Sequence, residues 1–315
     1  MKKIYYYIIS ITIILVSILI FSTTHAQDNL IFKRLDPADD DYGPGNYIYP
    51  QHEIFQNEGL FDITEVSVYD NENSYEFNFQ FTKLVDVWNS RFGFSLPLIQ
   101  VYIDNEKGGS DQLFEPGAQV RLNSEHPWNK LLIVNGWWVS IYTPDDSNKR
   151  VVDFTVTGRQ VPWLIDDPNI TVDNNLIKLI IEKQKIGSLD KASLYILVGS
   201  FDPFGYDYFR GVRTEKNSWF FAAPEVDDLT YAPRVIDLVV PPEMDQTEIL
   251  SSYEDDYPQI EPIYIGKKNV FGEYSFYIYF IIFIILIIIS YIVVKTIKKR
   301  SGVTDNADKQ EQESD

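Results

Sequence analysis

The sequence contains no cysteine and few of the other residues that bind metals through nitrogen or sulfur. Its 315 residues include three histidines and two methionines. Without cysteine the chain forms no disulfide, so an exported domain would depend on its hydrophobic core, aided at most by a bound metal. The two histidines beyond the apolar leader, His52 and His126, have no partners at zinc-ligand spacing. The sequence therefore predicts neither a disulfide framework nor a zinc site.

Positive charge is also scarce. The chain has 27 basic residues against 46 acidic ones, which gives a formal net charge of −19. A surface with this charge repels nucleic acid and anionic lipid headgroups, which argues against both as partners. It favours cations and uncharged ligands.

Sequence motifs of catalysis are missing as well. No nucleophile elbow, Walker loop or HExxH stretch is present. A glycosidase needs two carboxylates on opposite sides of the scissile bond, and sequence alone does not show which acidic residues face each other across strands. We therefore expect a protein that is not an enzyme.

The first 26 residues have the features of a secretory signal peptide. Lys2 and Lys3 precede an apolar run over residues 4–21, and the small residues Thr24 and Ala26 suit cleavage after position 26. A signal anchor is the alternative, because the apolar run approaches the length of a membrane span.

Residues 274–294 form a second apolar run, and it predicts a transmembrane helix. The run contains no charged residue, and a helix of about twenty residues matches the thickness of a hydrocarbon core. A basic cluster follows at once and marks the cytoplasmic side: Lys295, Lys298, Lys299 and Arg300. The sequence thus predicts a single-pass membrane protein with its large N-terminal part outside the cell and a cytoplasmic tail over residues 295–315.

The part between these runs is dominated by short segments that alternate apolar and polar residues, which is the pattern of strands with one buried face. Turn residues separate them at spacings typical of a sandwich, so we expect an all-β, antiparallel β-sandwich. The predicted strands cover residues 62–70, 74–84, 98–104, 130–142, 150–158, 176–187, 192–202 and 234–242. After residue 242 the sequence becomes polar without a sustained period, which predicts a stalk over residues 243–273.

Several segments follow one another in an order that resembles a known family. They are "DPADDDYGPGNYIYP" (36–50), "FQNEGLFDITEVSVYD" (55–70), "VWNSRFGFSLPLIQVYIDNEKGG" (87–109), "PGAQVRL" (116–122), "NGWWVSIY" (135–142) and "PRVIDLVVP" (233–241). The family is the C-terminal, non-catalytic module of glucodextranase, which is also appended to amylopullulanases, and the similarity covers about residues 31–242. We assign residues 27–242 to this module.

The resemblance implies a β-sandwich of the DOMON or family 9 carbohydrate-binding-module type, with a role in holding carbohydrate or the cell surface. Some DOMON relatives bind haem through an axial histidine or methionine. Met244 falls in the predicted stalk, which leaves His52 and His126, so this version is not expected here. The family usually follows a glycosidase on one chain, so any glycosidase or sugar transporter that this protein serves would be a separate protein.

The stretch "DPADDDYGPGNY" (36–47) is the candidate metal site. Calcium takes six to eight oxygen ligands, and the glycines Gly43 and Gly45 let a loop turn around the ion. The spacing is not that of an EF-hand, and the alternative is an acidic loop that only caps the first strand. With the family resemblance we favour structural calcium, bound by Asp36, Asp39, Asp40 and Asp41. Asp104 and Asp111 are weaker candidates for the same or another site.

Sugar binding would use aromatic faces, on which pyranose rings stack, with amides, acids or arginine bonding the hydroxyls. Adjacent residues on a strand point to opposite faces, so one of Trp137 and Trp138 should be core and the other can be exposed. Packing in the core is the alternative for each of these tryptophans. The candidate sugar-binding residues are Trp88, Asn89, Arg91, Trp137 and Trp138.

These observations together predict a membrane-anchored, extracellular and non-catalytic module that binds polysaccharide or a glycan of the cell envelope. The alternative is a structural or protein-interaction ectodomain of the envelope that binds no sugar. Asn169 begins a glycosylation sequon, "NIT", whose use the sequence leaves open.

Overall fold

The computed structural model describes residues 29–114, 116–146, 165 and 167–266. Four predictions lie outside these residues: the leader (1–26), the strand at 150–158, the membrane helix (274–294) and the tail (295–315). Within the described residues, no helix is long and apolar enough to cross a membrane.

The described chain is built almost entirely from strands, with two short α-helices, α1 (Lys183–Ile186) and α2 (Gln246–Leu250), and three single-turn 3-10 helices (Glu53–Phe55, Pro116–Ala118, Pro144–Asp146). The strands in chain order are β1 (Leu30–Leu35), β2 (Ile63–Asp70), β3 (Ser74–Phe81), β4 (Pro97–Asp104), β5 (Arg121–Leu122), β6 (Lys130–Val134), β7 (Val139–Tyr142), β8 (Asn169–Asp173), β9 (Leu176–Glu182), β10 (Ser193–Tyr206), β11 (Val212–Arg213), β12 (Phe221–Ala222), β13 (Val235–Val239), β14 (Gln259–Ile260) and β15 (Ile263–Tyr264).

Two antiparallel sheets form the body of the domain. The first sheet has the order β1-β2-β3-β9-β8, and the second has the order β13-β10-β4-β6-β7, with β15 pairing to β10. The predicted hairpin of β2 and β3 is present, with Asp70 opposite Tyr75. Two short pairs, β5–β14 and β11–β12, are parallel. The all-β, antiparallel architecture that the sequence predicts is confirmed.

A hydrophobic core lies between the two sheets, because every second side chain of each strand points to the inner face. Val66 and Val68 of β2 pack in the same cluster as Val101 of β4 and Leu132 of β6. The second sheet also has a covered outer face, where Leu98, Tyr102 and Trp128 belong to a second cluster. Burial on both faces explains why β4 reads as a nearly continuous apolar run.

Residues 243–266 pack onto the sandwich, so the predicted stalk is wrong over this range. Helix α2 begins after Asp245, whose side chain accepts hydrogen bonds from Thr247 and Glu248. Four apolar side chains of the segment are buried: Leu250, Ile260, Ile263 and Ile265. The sequence of this segment shows no hydrophobic period because α2, β14 and β15 are short and each buries only one or two side chains.

Both ends of the described chain lie at one end of the sandwich. Ile31, near the first residue, borders the same cavity as Ile265 and Gly266. Ser193, the first residue of β10, pairs with Asp104 and with Tyr264 at this end. The opposite end, which we call the distal end, holds the second half of β10, where Ser200 pairs with Pro97.

Candidate functional site

The distal end of the sandwich carries an aromatic cavity of about 750 Å³. Its walls come from four separate segments: the loop after β3, the turn between β6 and β7, the end of β10 with the following hairpin, and the segment before β12. The lining residues are Trp88, Trp137, Trp138, Phe201, Asp202, Pro203, Phe204, Arg210, Trp219 and Phe220.

An Asn-Gly turn places Trp137 and Trp138. The Asn135 side-chain oxygen accepts hydrogen bonds from the backbone N–H of Trp137 (2.9 Å) and of Trp138 (3.2 Å). Gly136 is required because a Cβ there would lie 1.8 Å from the carbonyl oxygen of Phe94. The sequence-based prediction of one strand over 130–142 is therefore wrong. The two tryptophans lie in the turn and not on a strand, and both line the cavity, but one is core and the other is not, as predicted: Trp138 is buried and Trp137 is half-buried.

The aromatic rings of the cavity pack against one another. The ring centroid of Trp137 lies 6.0 Å from that of Trp88 and 4.9 Å from that of Phe201. On the far wall, Trp219 stacks on His52 with centroids 4.2 Å apart. Trp138 is buried and Trp137 is half-buried, whereas 96% of Phe204 is exposed at the rim. The arrangement offers several flat apolar faces in a concave site.

The charged side chains of the cavity wall, Arg210 and Asp202, are already engaged. The guanidinium donates hydrogen bonds to Ser200 Oγ (3.0 Å), to the Trp219 carbonyl (2.7 Å) and to the Phe201 carbonyl (2.8 Å). It also lies 3.5 Å from the Asp202 carboxylate, which accepts a hydrogen bond from the Phe204 N–H. Burial lowers the pKa of Arg210, and Asp202 opposes this effect. These two residues hold the wall together and leave the aromatic faces as its binding surface.

Three of the five predicted sugar-binding residues meet in this cavity: Trp88, Trp137 and Trp138. Asn89 is exposed with a φ of 50° and is not among the described lining residues, and neither is Arg91. Arg91 instead lies 3.6 Å from Asp167 and over the ring of Phe92. Hydrophobic residues at 201, 204 and 220 were missed, although "FDPFGYDYF" (201–209) concentrates aromatic residues around an Asp-Pro and a Phe-Gly pair.

A cluster of buried carboxylates is the second feature of the distal end. Asp36 follows β1, Asp40 lies in the next loop, and Asp237 lies in β13, more than 190 residues later. One carboxylate oxygen from each lies within 4.8 Å of the others. Asp62, which precedes β2, is also buried and raises the pKa of Asp40 through its charge. We call Asp36, Asp40 and Asp237 the carboxylate cluster.

The carboxylate cluster has more buried oxygen atoms than hydrogen-bond donors. Asp237 Oδ2 accepts a hydrogen bond from the Ile63 N–H at 2.7 Å. Its other oxygen, both oxygens of Asp36 and Oδ1 of Asp40 are buried and accept no hydrogen bond from a donor group of the described residues, although a proton shared between Asp36 and Asp237 would join those two. Unsatisfied buried carboxylates are costly unless a cation or a proton neutralises them. Oxygen ligands drawn from several carboxylates are those that Ca²⁺ prefers, so the donor set fits this ion.

Burial and mutual repulsion raise the pKa values of the cluster. Burial, together with the charge of Asp40, raises the pKa of Asp36 to about 8. Burial, together with the charges of Asp62 and Asp41, raises the pKa of Asp40 to about 7. Burial raises the pKa of the fully buried Asp237 well above its ordinary value. Near neutral pH these groups therefore hold protons unless a cation replaces them.

The two remaining predicted metal ligands have other contacts. Asp39 is exposed with a φ of 67°, and its N–H donates to Asp62 Oδ2 at 3.1 Å. The carboxylate of Asp41 accepts hydrogen bonds from the Tyr49 hydroxyl and from the Phe61 N–H, the latter at 3.0 Å. Burial raises the pKa of Asp41 to about 6, although these hydrogen bonds oppose the shift.

The weaker candidates, Asp104 and Asp111, lie outside the carboxylate cluster among the described residues. Asp104 Oδ2 accepts a hydrogen bond from Ser193 Oγ at 3.1 Å and lies 3.3 Å from His126 Nδ1, and Asp111 is exposed. Gly43 and Gly45 do take positive φ values, 57° and 89°. The loop therefore turns where the sequence predicts.

One family model matches the chain over residues 31–264, and it describes the C-terminal binding module, SLH-like, of glucodextranase. The match confirms the family resemblance and ends beyond residue 242, the predicted boundary of the module. It includes the segment that packs onto the sandwich as α2, β14 and β15. No curated protein sequence matches the chain.

Proposed function

Because the chain belongs to the family of SLH-like C-terminal binding modules of glucodextranase, we propose that it binds a polysaccharide or an envelope glycan without cleaving it. The observation that carries this proposal is the aromatic cavity at the distal end. Its volume of about 750 Å³ falls within the range of small-molecule sites, and aromatic side chains dominate its walls. Any enzyme or transporter that acts on the bound glycan is a separate protein.

Stacking is the binding mode that fits this cavity. A pyranose ring can place its C–H face on an indole and keep its hydroxyls toward water, so it needs few polar groups from the protein. The charged residues of the wall are engaged with the protein itself, and hydroxyls pressed against them would lose hydrogen bonds to water. We therefore expect binding through ring faces at Trp88, Trp137 and Trp219.

In the proposed cellular arrangement the cavity lies outside the cell. The chain would cross the bilayer once at residues 274–294, with the β-sandwich outside the cell. The two ends of the described chain lie at the end of the sandwich opposite the cavity. The eight residues from Ser193 to Ser200 of β10 alone span roughly 23 Å between the two ends of the sandwich. An aromatic cavity outside the cell would be accessible to external polymers.

Calcium is the proposed cofactor, in a structural role. The carboxylate cluster joins the loop after β1 to β13, so an ion there would tie the N-terminal segment to the last long strand of the domain. Asp36, Asp40 and Asp237 would be its ligands, and Asp62 lies close enough to add negative charge. The ion would supply positive charge to carboxylate oxygens that accept no hydrogen bond from a donor among the described residues.

Binding of the full-length protein in detergent to an array of glucans and envelope glycans tests the proposed function. Phe204→Ala changes an exposed lining residue with little risk to the fold, and Tyr264→Ala, at the other end of the domain, is the matched control. Loss of a stacking contact should weaken binding by roughly three- to tenfold for the first variant. The second should bind as the unaltered protein does. Retention of no glycan would contradict the proposal.

A second candidate function is docking of an apolar surface of a partner protein. The exposure of Phe204 beside engaged charged groups favours it, because an apolar partner needs no hydrogen bonds from the wall. A photoreactive residue at position 204 that cross-links to one protein on cells, with no glycan retained on the array, would favour this alternative.

A further inference from the structure

The loop after β1 carries Asp36 and Asp40 of the carboxylate cluster, and the residues that follow it support one wall of the aromatic cavity. After Asp40 and Asp41, residues 48–52 run beside residues 217–222, which carry Trp219 and Phe220. Four backbone hydrogen bonds join the two segments: Ile48 N to Ala222 O (2.8 Å), Ala222 N to Ile48 O (2.9 Å), Gln51 N to Asn217 O (2.8 Å) and His52 N to Ser218 O (3.0 Å). Residues 48–52 therefore support this wall on one side, and β11, which pairs with β12, supports it on the other.

Side chains reinforce the same connection. The Tyr49 hydroxyl donates to Asp41, next to the carboxylate cluster, and its ring packs edge-on against Phe221 with centroids 5.4 Å apart. His52 stacks on Trp219 and Phe55 lies edge-on to it, and 42% of Trp219 remains exposed. Arg210 donates a hydrogen bond to the carbonyl of Trp219. Residues that follow the loop with Asp36 and Asp40 therefore help to set the orientation of the Trp219 indole.

The loop after β1, which carries Asp36 and Asp40, is held against β13 at the carboxylate cluster, whose negative charge must be neutralised. Asp237 is fully buried, and its Oδ1, which accepts no hydrogen bond from a donor group of the described residues, belongs to the group formed with Asp36 and Asp40. A cation there would draw the loop onto β13, where Gly43 N–H also donates to the Ile236 carbonyl at 2.8 Å. Without the cation, protons neutralise these carboxylates near neutral pH, and a proton does not tie the loop to β13 as an ion bound to all three carboxylates would.

The opposite wall has an independent support. Trp137 and Trp138 are fixed by the Asn135 side chain, and the Phe92 N–H donates to the Gly136 carbonyl at 2.9 Å. None of these contacts involves residues 36–55. Only one side of the cavity should respond to the cation.

We propose that cation occupancy of the carboxylate cluster positions the Trp219 wall, so that ligand binding in the aromatic cavity depends on the cation. This inference rests on the proposed function of both sites. The coupling runs from the cluster through Asp41 and Tyr49 to Phe221, and through residues 48–52 to Trp219. The Trp137 wall remains in place in either state.

Hydrogen–deuterium exchange of the full-length protein, with calcium ions or with a chelator, tests this coupling without any glycan. Calcium should slow exchange about tenfold or more at residues 217–222 and leave residues 135–142 unchanged. Asp237→Asn should abolish the response, whereas Asp104→Asn, a carboxylate at the other end of the domain, should keep it. Tyr49→Phe should keep the calcium-dependent rise in melting temperature and reduce the response at residues 217–222.

The possible outcomes distinguish failure of the coupling from failure of calcium binding or of glycan binding. A melting temperature that rises with calcium while exchange at residues 217–222 stays the same would overturn the coupling and leave calcium binding intact. No effect of calcium on either quantity would overturn both. In a glycan-binding assay, equal affinity with calcium and with chelator would also overturn the coupling, whereas absence of all glycan binding would overturn the proposed function.

Discussion

At the scale of single residues, Asp237 shows most clearly how the sequence encodes the carboxylate cluster. It lies in β13 between apolar neighbours on both sides, and it is fully buried. A strand that buries a carboxylate loses stability unless the charge is neutralised. An acidic residue in an otherwise apolar strand is thus a signal that sequence reasoning could have used. Its partners in the loop after β1 can be identified only once the fold brings them together.

Gly136 provides a test of the turn that presents the two tryptophans. Gly136→Ala would place a Cβ 1.8 Å from the Phe94 carbonyl oxygen, so the backbone must move and the Asn135 turn must distort. We expect a loss of about 2 kcal/mol or more in the free energy of unfolding, measured by urea denaturation. Gly266→Ala is the control, because no atom lies within 4 Å of its added Cβ. Equal stability of the two variants would contradict the close approach.

At the scale of elements, alternation predicts the long strands because each buries one face against the opposite sheet. Val66 and Val68 belong to the core and flank Ser67 on the other face of the sheet, and this apolar–polar pattern locates β2 almost to the residue. The turn at Asn135–Trp138 escapes this reasoning because apolar residues continue on both sides of it, so that two strands read as one. The Asn135-Gly136 pair is a turn signal, but the apolar residues on both sides of it favour a single continuous strand.

Truncation before or after the C-terminal elements of the domain tests where the module ends. A chain that stops at residue 242 loses Leu250, Ile260, Ile263 and Ile265, each buried, and each contributes about 1.5–3 kcal/mol by its burial. Their sum is comparable with the whole stability of a domain. We expect this chain to be digested rapidly by a protease and to lack a cooperative thermal transition.

A chain that stops at residue 266 is the matched control for that comparison. It retains α2, β14 and β15 and should resist the protease and unfold cooperatively. If the chain that stops at residue 242 resisted the protease equally well, residues 243–266 would not be part of the folded domain, in agreement with the stalk that the sequence predicts.

At the scale of the whole molecule, the carboxylate cluster makes stability depend on pH when no cation is present. The folded pKa values of about 8 for Asp36 and about 7 for Asp40 lie above the ordinary value of 3.8. The folded state therefore binds protons that the unfolded state releases, and the free energy of unfolding falls as pH rises from about 4 to about 8. The loss should be on the order of a few kcal/mol, measured by denaturation in chelator.

Calcium should remove this dependence on pH. With the ion bound, the carboxylates carry no proton in the folded state, so fewer protons are released on unfolding between about pH 6 and pH 8. The difference in stability between calcium and chelator should then be largest near pH 8 and smallest near pH 5. A difference that stays constant over this range would count against an ion held by Asp36 and Asp40.

The orientation of the whole chain across the membrane is the broadest prediction. Residues 274–294 should keep the full-length protein in the membrane fraction after a carbonate wash, because an uncharged helix of this length matches the hydrocarbon core. External protease should digest the β-sandwich of intact cells and spare an epitope placed after residue 300, since the basic cluster favours the cytoplasmic side.

Deletion of residues 274–315 supplies the control for this orientation. The shortened chain should appear in the medium, with Gln27 as its first residue if the leader is cleaved, and should stay on the membrane if the leader is an anchor. Both results agree with an exported sandwich. An epitope after residue 300 that external protease removes from intact cells would reverse the predicted orientation and place the aromatic cavity inside the cell.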